Sequence, residues 1–258
     1  MAADLAAAAG SQVVVARLAA AALLGDGDML TSADRVRVEA AVKTAEARTQ
    51  GEIYCVVAHE SSDYREVPIA WAALAALIAP ALLLLGGIHV SVPALFGKAW
   101  TAAQIGAVAE TAARGAVAGA ILLQGLLFVA VLFIVSFPAI RRSLTPKSLK
   151  RERVRRRARE QFLAKNLAAT RERTGVLIYV STTERLAELI ADEGVAACVA
   201  PQVWDQAMEL LMAGFKAQRP AEGFEHAIAL CGDILAQHFP VKADDNPNEL
   251  SDSVVLLP

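Results

Sequence analysis

Residues 120–140 read AILLQGLLFVAVLFIVSFPAI and close a stretch, begun at Gly115, that contains no Asp, Glu, Lys or Arg. Gln124 is its most polar side chain. At 1.5 Å rise per residue such a helix covers about 30 Å, the thickness of a hydrocarbon core. Residues 68–88, PIAWAALAALIAPALLLLGGI, form a second run of this kind inside the charge-free stretch 67–97. One such run could be the buried helix of a soluble protein. Two, each exceeding the ~18-residue criterion, favour lipid. The composition agrees, with 55% hydrophobic and 20% charged residues among 258 and a mean hydropathy of +0.42.

That composition excludes a disordered chain, and a net charge of −2 excludes a protein basic over its whole surface, so nucleic acid is not an expected partner. Cys55, Cys198 and Cys231 form no CxxC pair, which places the folded part in a reducing compartment. Orientation follows from the cations. Arg141, Arg142, Lys147, Lys150, Arg151, Arg153, Arg155, Arg156, Arg157 and Arg159 follow the second run against the single acid Glu152. Lys98 and Arg114 are the only cations between the runs. The positive-inside rule then puts the second run's end in the cytoplasm, with spans at about 68–88 and 118–140 forming a hairpin. Both termini are cytoplasmic and residues 89–114 face the other side. Arg141, Arg142, Lys147, Lys150 and Arg151, at the end of a span, are expected to meet anionic lipid headgroups. Gly115 and Gly119 have the spacing that lets helices approach closely, within the hairpin or between two copies of the chain.

Working outward, the expected divisions are an Ala-rich extension (1–29), a helix and strand (30–66), the hairpin (67–140), a basic segment with the remaining soluble part (141–240) and an acidic tail (241–258). The extension lacks the basic n-region of a secretory signal, and its QVVVARLAAAALL is too short to span. It reads as a frayed helix or as sequence ahead of a true start at Met29. Thr31 and Asp34 resemble a capping box opening a helix over 31–50, and EIYCVVAH (52–59) reads as a strand covered on both faces. One helix and one strand make no core, so this strand needs partners from beyond the hairpin. A helix over 149–170, the doubly apolar strand GVLIYVS (175–181) and helices over 201–217 and 221–237 supply them. The segment RLAELIADEGV (185–195) fits helix by propensity and a hairpin strand by alternation.

QGEIYCVVAH, RTGVLIYVS, TERLAELIADEGV, the block from VWDQAMELL to AQHFP and the closing NELSD, in this order, resemble the TPM domain family. They are similar in particular to its bacterial membrane-protein branch, in which a transmembrane hairpin is inserted after the first strand. The match runs from Met29 to the C-terminus; Gln50 stands where this branch usually has Ser, and Ser251 where Pro is common. The resemblance implies an α/β/α sandwich with a small mixed sheet split by a two-helix transmembrane hairpin. It also reads 185–195 as a strand.

Catalytic signatures are sparse. The sequence contains no GxxxxGK, GxGxxG, GxSxG or HExxH, no cysteine begins a C-x5-R loop, and none of His59, His89, His226 and His238 pairs at helical ligand spacing. Ligands of α/β sheets gather at strand ends. Glu60 and Asp63 leave the first strand there, and Glu184 and Asp192 could approach them. Carboxylate oxygens of this kind suit Ca²⁺ or Mg²⁺. Some TPM members are described as metal-binding acid phosphatases, so the resemblance implies metal-assisted phosphomonoester hydrolysis as one function. The other, which the short tether between Asp63 and the membrane favours, is a non-enzymatic accessory or scaffold module at the inner membrane. It would bind lipid, a membrane-protein partner or a divalent ion. A channel would need charged or polar groups lining a path, and the spans hold no charge and one Gln.

Overall fold

The computed structural model describes residues 14–19, 30–86, 102–165, 167, 170, 173–241 and 251–257. In chain order its elements are β1 (Val14–Ala19), α1 (Ser32–Glu46), β2 (Glu52–Ala58), α2 (Glu66–Leu85), α3 (Ala102–Ser136), α4 (Pro138–Leu144), α5 (Lys147–Ala164), β3 (Gly175–Ser181), β4 (Leu186–Ala191), α6 (Glu193–Cys198), α7 (Pro201–Lys216), α8 (Pro220–His238) and β5 (Val255–Leu257). They divide between two units, one of residues 1–62 with 147–258 and one of residues 63–146.

In the first unit the strands form one mixed sheet in the order β1-β4-β3-β2-β5. β2 and β3 are parallel over all seven residues, Glu52 beside Gly175 through Ala58 beside Ser181. The strand before the apolar helices thus finds its partner after them, as its two apolar faces require. β4 returns antiparallel to β3, so the strand expected over 185–195 forms at Leu186–Ala191, while Glu193–Val195 already belong to the short α6. Period-two alternation sends Ile53, Cys55, Val57, Val176, Ile178 and Val180 to a core closed by α1, α7 and α8. The alternate residues Tyr54, Val56, Leu177 and Tyr179 pack under Val154, Ala158 and Phe162 of α5. These three, at i, i+4 and i+8, are the apolar stripe of an otherwise basic helix.

The Thr31 capping box forms: Thr31 Oγ1 accepts from Asp34 N at 3.1 Å and Asp34 Oδ2 accepts from Thr31 N at 3.0 Å. α7 and α8 pack at glycines, since a Cβ on Gly214 would lie 2.4 Å from Gly223 Cα and one on Gly223 2.6 Å from Leu211 O. Trp204, Phe215 and Phe224 fill the space beside this contact.

Residues 14–19 correct the reading of the extension. They form β1, antiparallel to β4 from Val14 beside Ala191 to Ala19 beside Leu186. Backbone pairing to an available sheet edge outweighs the weak β-propensity of an Ala-rich segment. The rest of the extension and of the inter-helix loop (87–101), with Asp244, Asp245 and Glu249 of the tail, lies outside the described residues.

In the second unit α2 and α3 pack against one another, and Trp71 Nε1 donates to Leu144 O at 3.3 Å, so the start of α2 lies beside the end of α4. Each of the two long helices is long and apolar enough to cross a membrane, over Glu66–Leu83 and Val117–Ser136. Little of the second window is buried within the chain. Leu77, Leu82, Leu122, Leu126 and Phe133 stand exposed on them, an apolar surface of the kind that marks a membrane or partner contact. α3 ends at Ser136, short of Ile140. Pro138 cannot continue α3, so Phe137 turns extended (φ −63°, ψ 129°) and α4 restarts with the proline in its first turn.

Candidate functional site

Where β2 and β3 end, their backbones lead into two polar segments of this chain, His59–Ser62 and Thr182–Arg185. Thr182 N donates to Ala58 O at 3.0 Å and Thr183 N to His59 O at 2.9 Å, so the register of the parallel pair continues into the loops. Thr182 Oγ1 also donates to His59 O, at 3.1 Å. Arg185 adopts φ 56°, the left-handed conformation that lets the chain reverse into β4.

Glu184 ties the two segments together. Its carboxylate accepts from Ser61 N at 3.1 and 3.3 Å and from Ser181 Oγ. Ser61 Oγ donates to Ser181 Oγ at 2.9 Å and lies 3.0 Å from Tyr179 Oη. The result is a relay from Ser61 through Ser181 to the Glu184 carboxylate, with a phenol at its side. Ser181 and Glu184 are buried and Ser61 is half-buried. Burial pushes the Tyr179 phenol up to about 12, Ser61 opposing it by hydrogen bonding, with Glu184 adding to the rise and Arg157 opposing it. The phenol therefore stays neutral and acts as a hydrogen-bonding group. Glu184→Ala leaves Ser61 N and Ser181 Oγ without their acceptor and is expected to cost about 1–3 kcal/mol. Chemical denaturation checks this, and Glu184→Gln should recover part of the loss.

Of the four carboxylates read from the sequence, Glu184 and Asp192 stand at opposite ends of β3. Glu60 and Glu184 belong to the linked segments at this end of the sheet. Asp192 N donates to Gly175 O at 2.9 Å, which places Asp192 beside the first residue of β3. The seven residues of β3 separate it from Glu184 by about 20 Å. Asp192 caps α6, accepting from Glu193 N at 2.8 Å, and lies 3.7 Å from Arg173 Nε. Desolvation raises its pKa, with the Glu193 backbone bond and Arg173 opposing. Asp63 belongs to the second unit, exposed and 3.1 Å from Arg65. Glu184 and Asp192 therefore cannot share one ion, and both already hold hydrogen-bond donors. Among the described residues no three His, Cys, Asp or Glu side chains converge in a way that could hold a metal.

Of the proposed headgroup contacts, Arg141 and Arg142 lie in the last turn of α4. Lys147, Lys150 and Arg151 open α5, where Lys147 and Arg151 are exposed and Lys150 is half-buried. Sequence reasoning missed Ser61, Tyr179 and Ser181. Tyr179 and Ser181 are two apart on a strand and so share a face, a signal that was present, but Ser61 joins them only through the fold.

No protein-family model matches the chain, and no curated protein matches it. Among solved structures it is similar to the NMR structure of BA42 protein from the psychrophilic bacterium Bizionia argentinensis, with a TM-score of 0.50 and 16% identity. The alignment covers 90% of this chain and 98% of that one. At this identity the likeness concerns the fold: α/β with a small mixed sheet.

Proposed function

We propose that this chain is a multi-pass inner-membrane protein resembling the membrane branch of the TPM domain family. In this reading α2 and α3 form a transmembrane hairpin inserted into an α/β/α sandwich, both termini are cytoplasmic, and the sandwich serves as a non-enzymatic accessory or scaffold module beside the bilayer. The observation that carries it is the pairing of β2 with β3. A soluble sheet completed only by segments on either side of two lipid-suited helices is a domain fastened to the membrane at its middle. Arg141, Arg142, Lys147, Lys150 and Arg151 then supply the headgroup contacts. A membrane-protein partner or a second copy is the macromolecule such a module would hold. Metal-assisted hydrolysis with Glu60, Asp63, Glu184 and Asp192 gains no support, because such a site needs its carboxylates around one point, and Asp192 is at the other end of the sheet from Glu184.

Labelling with a membrane-impermeant maleimide tests the topology. Cys198 is exposed, whereas Cys55 and Cys231 are buried. Cys198 should react only after lysis, and a cysteine placed at Ala102 should react in intact cells; the reverse pattern overturns the orientation. Purified protein in detergent should show no phosphomonoesterase turnover above a mock preparation, with or without Ca²⁺ or Mg²⁺. Turnover lost in Glu184→Gln would establish an enzyme instead. In nanodiscs, residues 147–151 should be protected from hydrogen exchange by anionic lipid and not by phosphatidylcholine, and high salt should remove that protection.

A further inference from the structure

α4 starts at the break that Pro138 makes after α3, and its sides differ. Ile140 and Leu144, four apart, share one side; Ala139 and Arg142, three apart, share another. Phe137 is 52% and Ile140 37% exposed, and Leu144 is half-buried. The Phe137 ring meets that of Phe133 edge to face, with centroids 5.3 Å apart. The exposed apolar surface of α3 therefore runs on past the end of that helix and along α4.

The far end of α4 sets its course. Continued as one helix from Ser136, the chain would carry Leu144 about 12 Å further along the α3 axis. Instead α4 packs on α2, and Leu144 O accepts from Trp71 Nε1 at 3.3 Å. Trp71 stands in the second turn of α2, so α4 ends level with the beginning of that helix rather than rising away from it.

The backbone at both ends of α4 finds donors within the chain. At the break, Ser136 Oγ donates to Leu132 O at 2.6 Å. Phe137 N donates at 3.3 Å to Ile134 O, the carbonyl that Pro138 leaves without its helical donor. At the other end Arg141 O accepts from Thr145 N at 3.0 Å and Thr145 Oγ1 at 2.7 Å, and Leu144 O takes the indole. Helix ends in water can leave such carbonyls to the solvent, whereas near hydrocarbon the chain has to supply the donors itself.

Resting on the membrane reading above, we propose that α4 is an interfacial helix. It lies along the bilayer surface where α3 ends, with Phe137, Ile140 and Leu144 at the boundary of headgroups and acyl chains and the Arg142 side toward water. Trp71 sits at the same depth, which suits its amphipathic ring. A segment laid across the surface fixes the depth and rotation of the hairpin, which two smooth apolar helices do not fix by themselves.

Spin-label accessibility tests this on the full chain in vesicles of phosphatidylcholine and phosphatidylglycerol. Cys198→Ser is the background, since Cys55 and Cys231 are buried. Single labels replace Leu126, Ala139 and Ile140, all exposed, so no packing is disturbed. Each label's collision rate with oxygen, which concentrates among acyl chains, is divided by that with a water-soluble nickel chelate. The ratio should be highest at Leu126 and several-fold higher at Ile140 than at Ala139. A helix rising from the membrane gives the reverse order, because Ala139 is then nearer the hydrocarbon; that order, or equal ratios, overturns the proposal. So does an Ile140 label shielded from both reagents, the mark of a protein partner or a second copy covering this side. Leu126 open to the nickel chelate would overturn the membrane reading as well.

Discussion

Gly214→Ala is expected to cost about 3 kcal/mol or more, lowering the melting temperature of the sheet-containing unit by about 6–12 °C. The reason is geometric. An added Cβ would sit 2.4 Å from Gly223 Cα, 2.5 Å from Gly223 N and 2.9 Å from Arg219 O, all backbone atoms that no rotamer change can move. α7 and α8 would have to separate, and with them the packing of Phe215 on Phe224, whose ring centroids are 5.8 Å apart. Gly125→Ala in α3 is the control, because a Cβ there meets nothing within 4 Å and alanine is the better helix former by about 1 kcal/mol. Thermal denaturation of the two variants should diverge in sign. Equal small effects would show that the α7–α8 approach is looser than drawn.

The second large effect is a stabilisation. Glu46→Gln is expected to make the protein more stable at neutral pH and nearly neutral in effect near pH 4. Glu46 is raised from an ordinary value of 4.5 to about 8 by burial first, with Glu52 and Asp252 adding to it. Below pH 4.5 the side chain is protonated whether the chain is folded or not, and folding carries no penalty. As pH rises toward about 8, the unfolded chain releases the proton while the folded one retains it, and stability falls by about 1.4 kcal/mol per unit. At pH 7 the accumulated loss is at most about 3 kcal/mol, and glutamine avoids it. Urea midpoints of wild type and variant should coincide at pH 4 and separate by pH 7.5. A constant offset at both pH values would mean that the substitution acts through packing.

Much of the architecture was legible because its causes are local. Thr31 and Asp34 mark the start of α1, short β-branched runs apolar on both faces mark β2 and β3, and a hydrophobic run of membrane length marks α2 and α3. β4 was not legible from propensity, since Leu186, Ala187, Glu188 and Leu189 all favour helix; alternation left a strand open, and pairing with β3 decides the matter. β1 and β5 were unreadable for a related reason. Each is a short segment with weak preference of its own that becomes a strand by lying against an existing edge. One candidate ligand has a local role of its own. Asp192 before EGVAAC has the position of a helix N-cap, and capping α6 is what it does. Ser61 and Tyr179 could not have been joined without knowing that β2 and β3 are neighbours.

That neighbourhood also sets a timetable for synthesis. Ala58 leaves the ribosome long before Gly175, and at about 5–20 residues per second the wait is on the order of ten seconds. Throughout it β2 is a hydrophobic strand with both edges bare, while the apolar helices that follow are being made. A nascent chain halted after α3 should therefore hold no folded sheet, and pulse-chase proteolysis should find residues 30–62 digestible until the translation of β3 and β4 is complete.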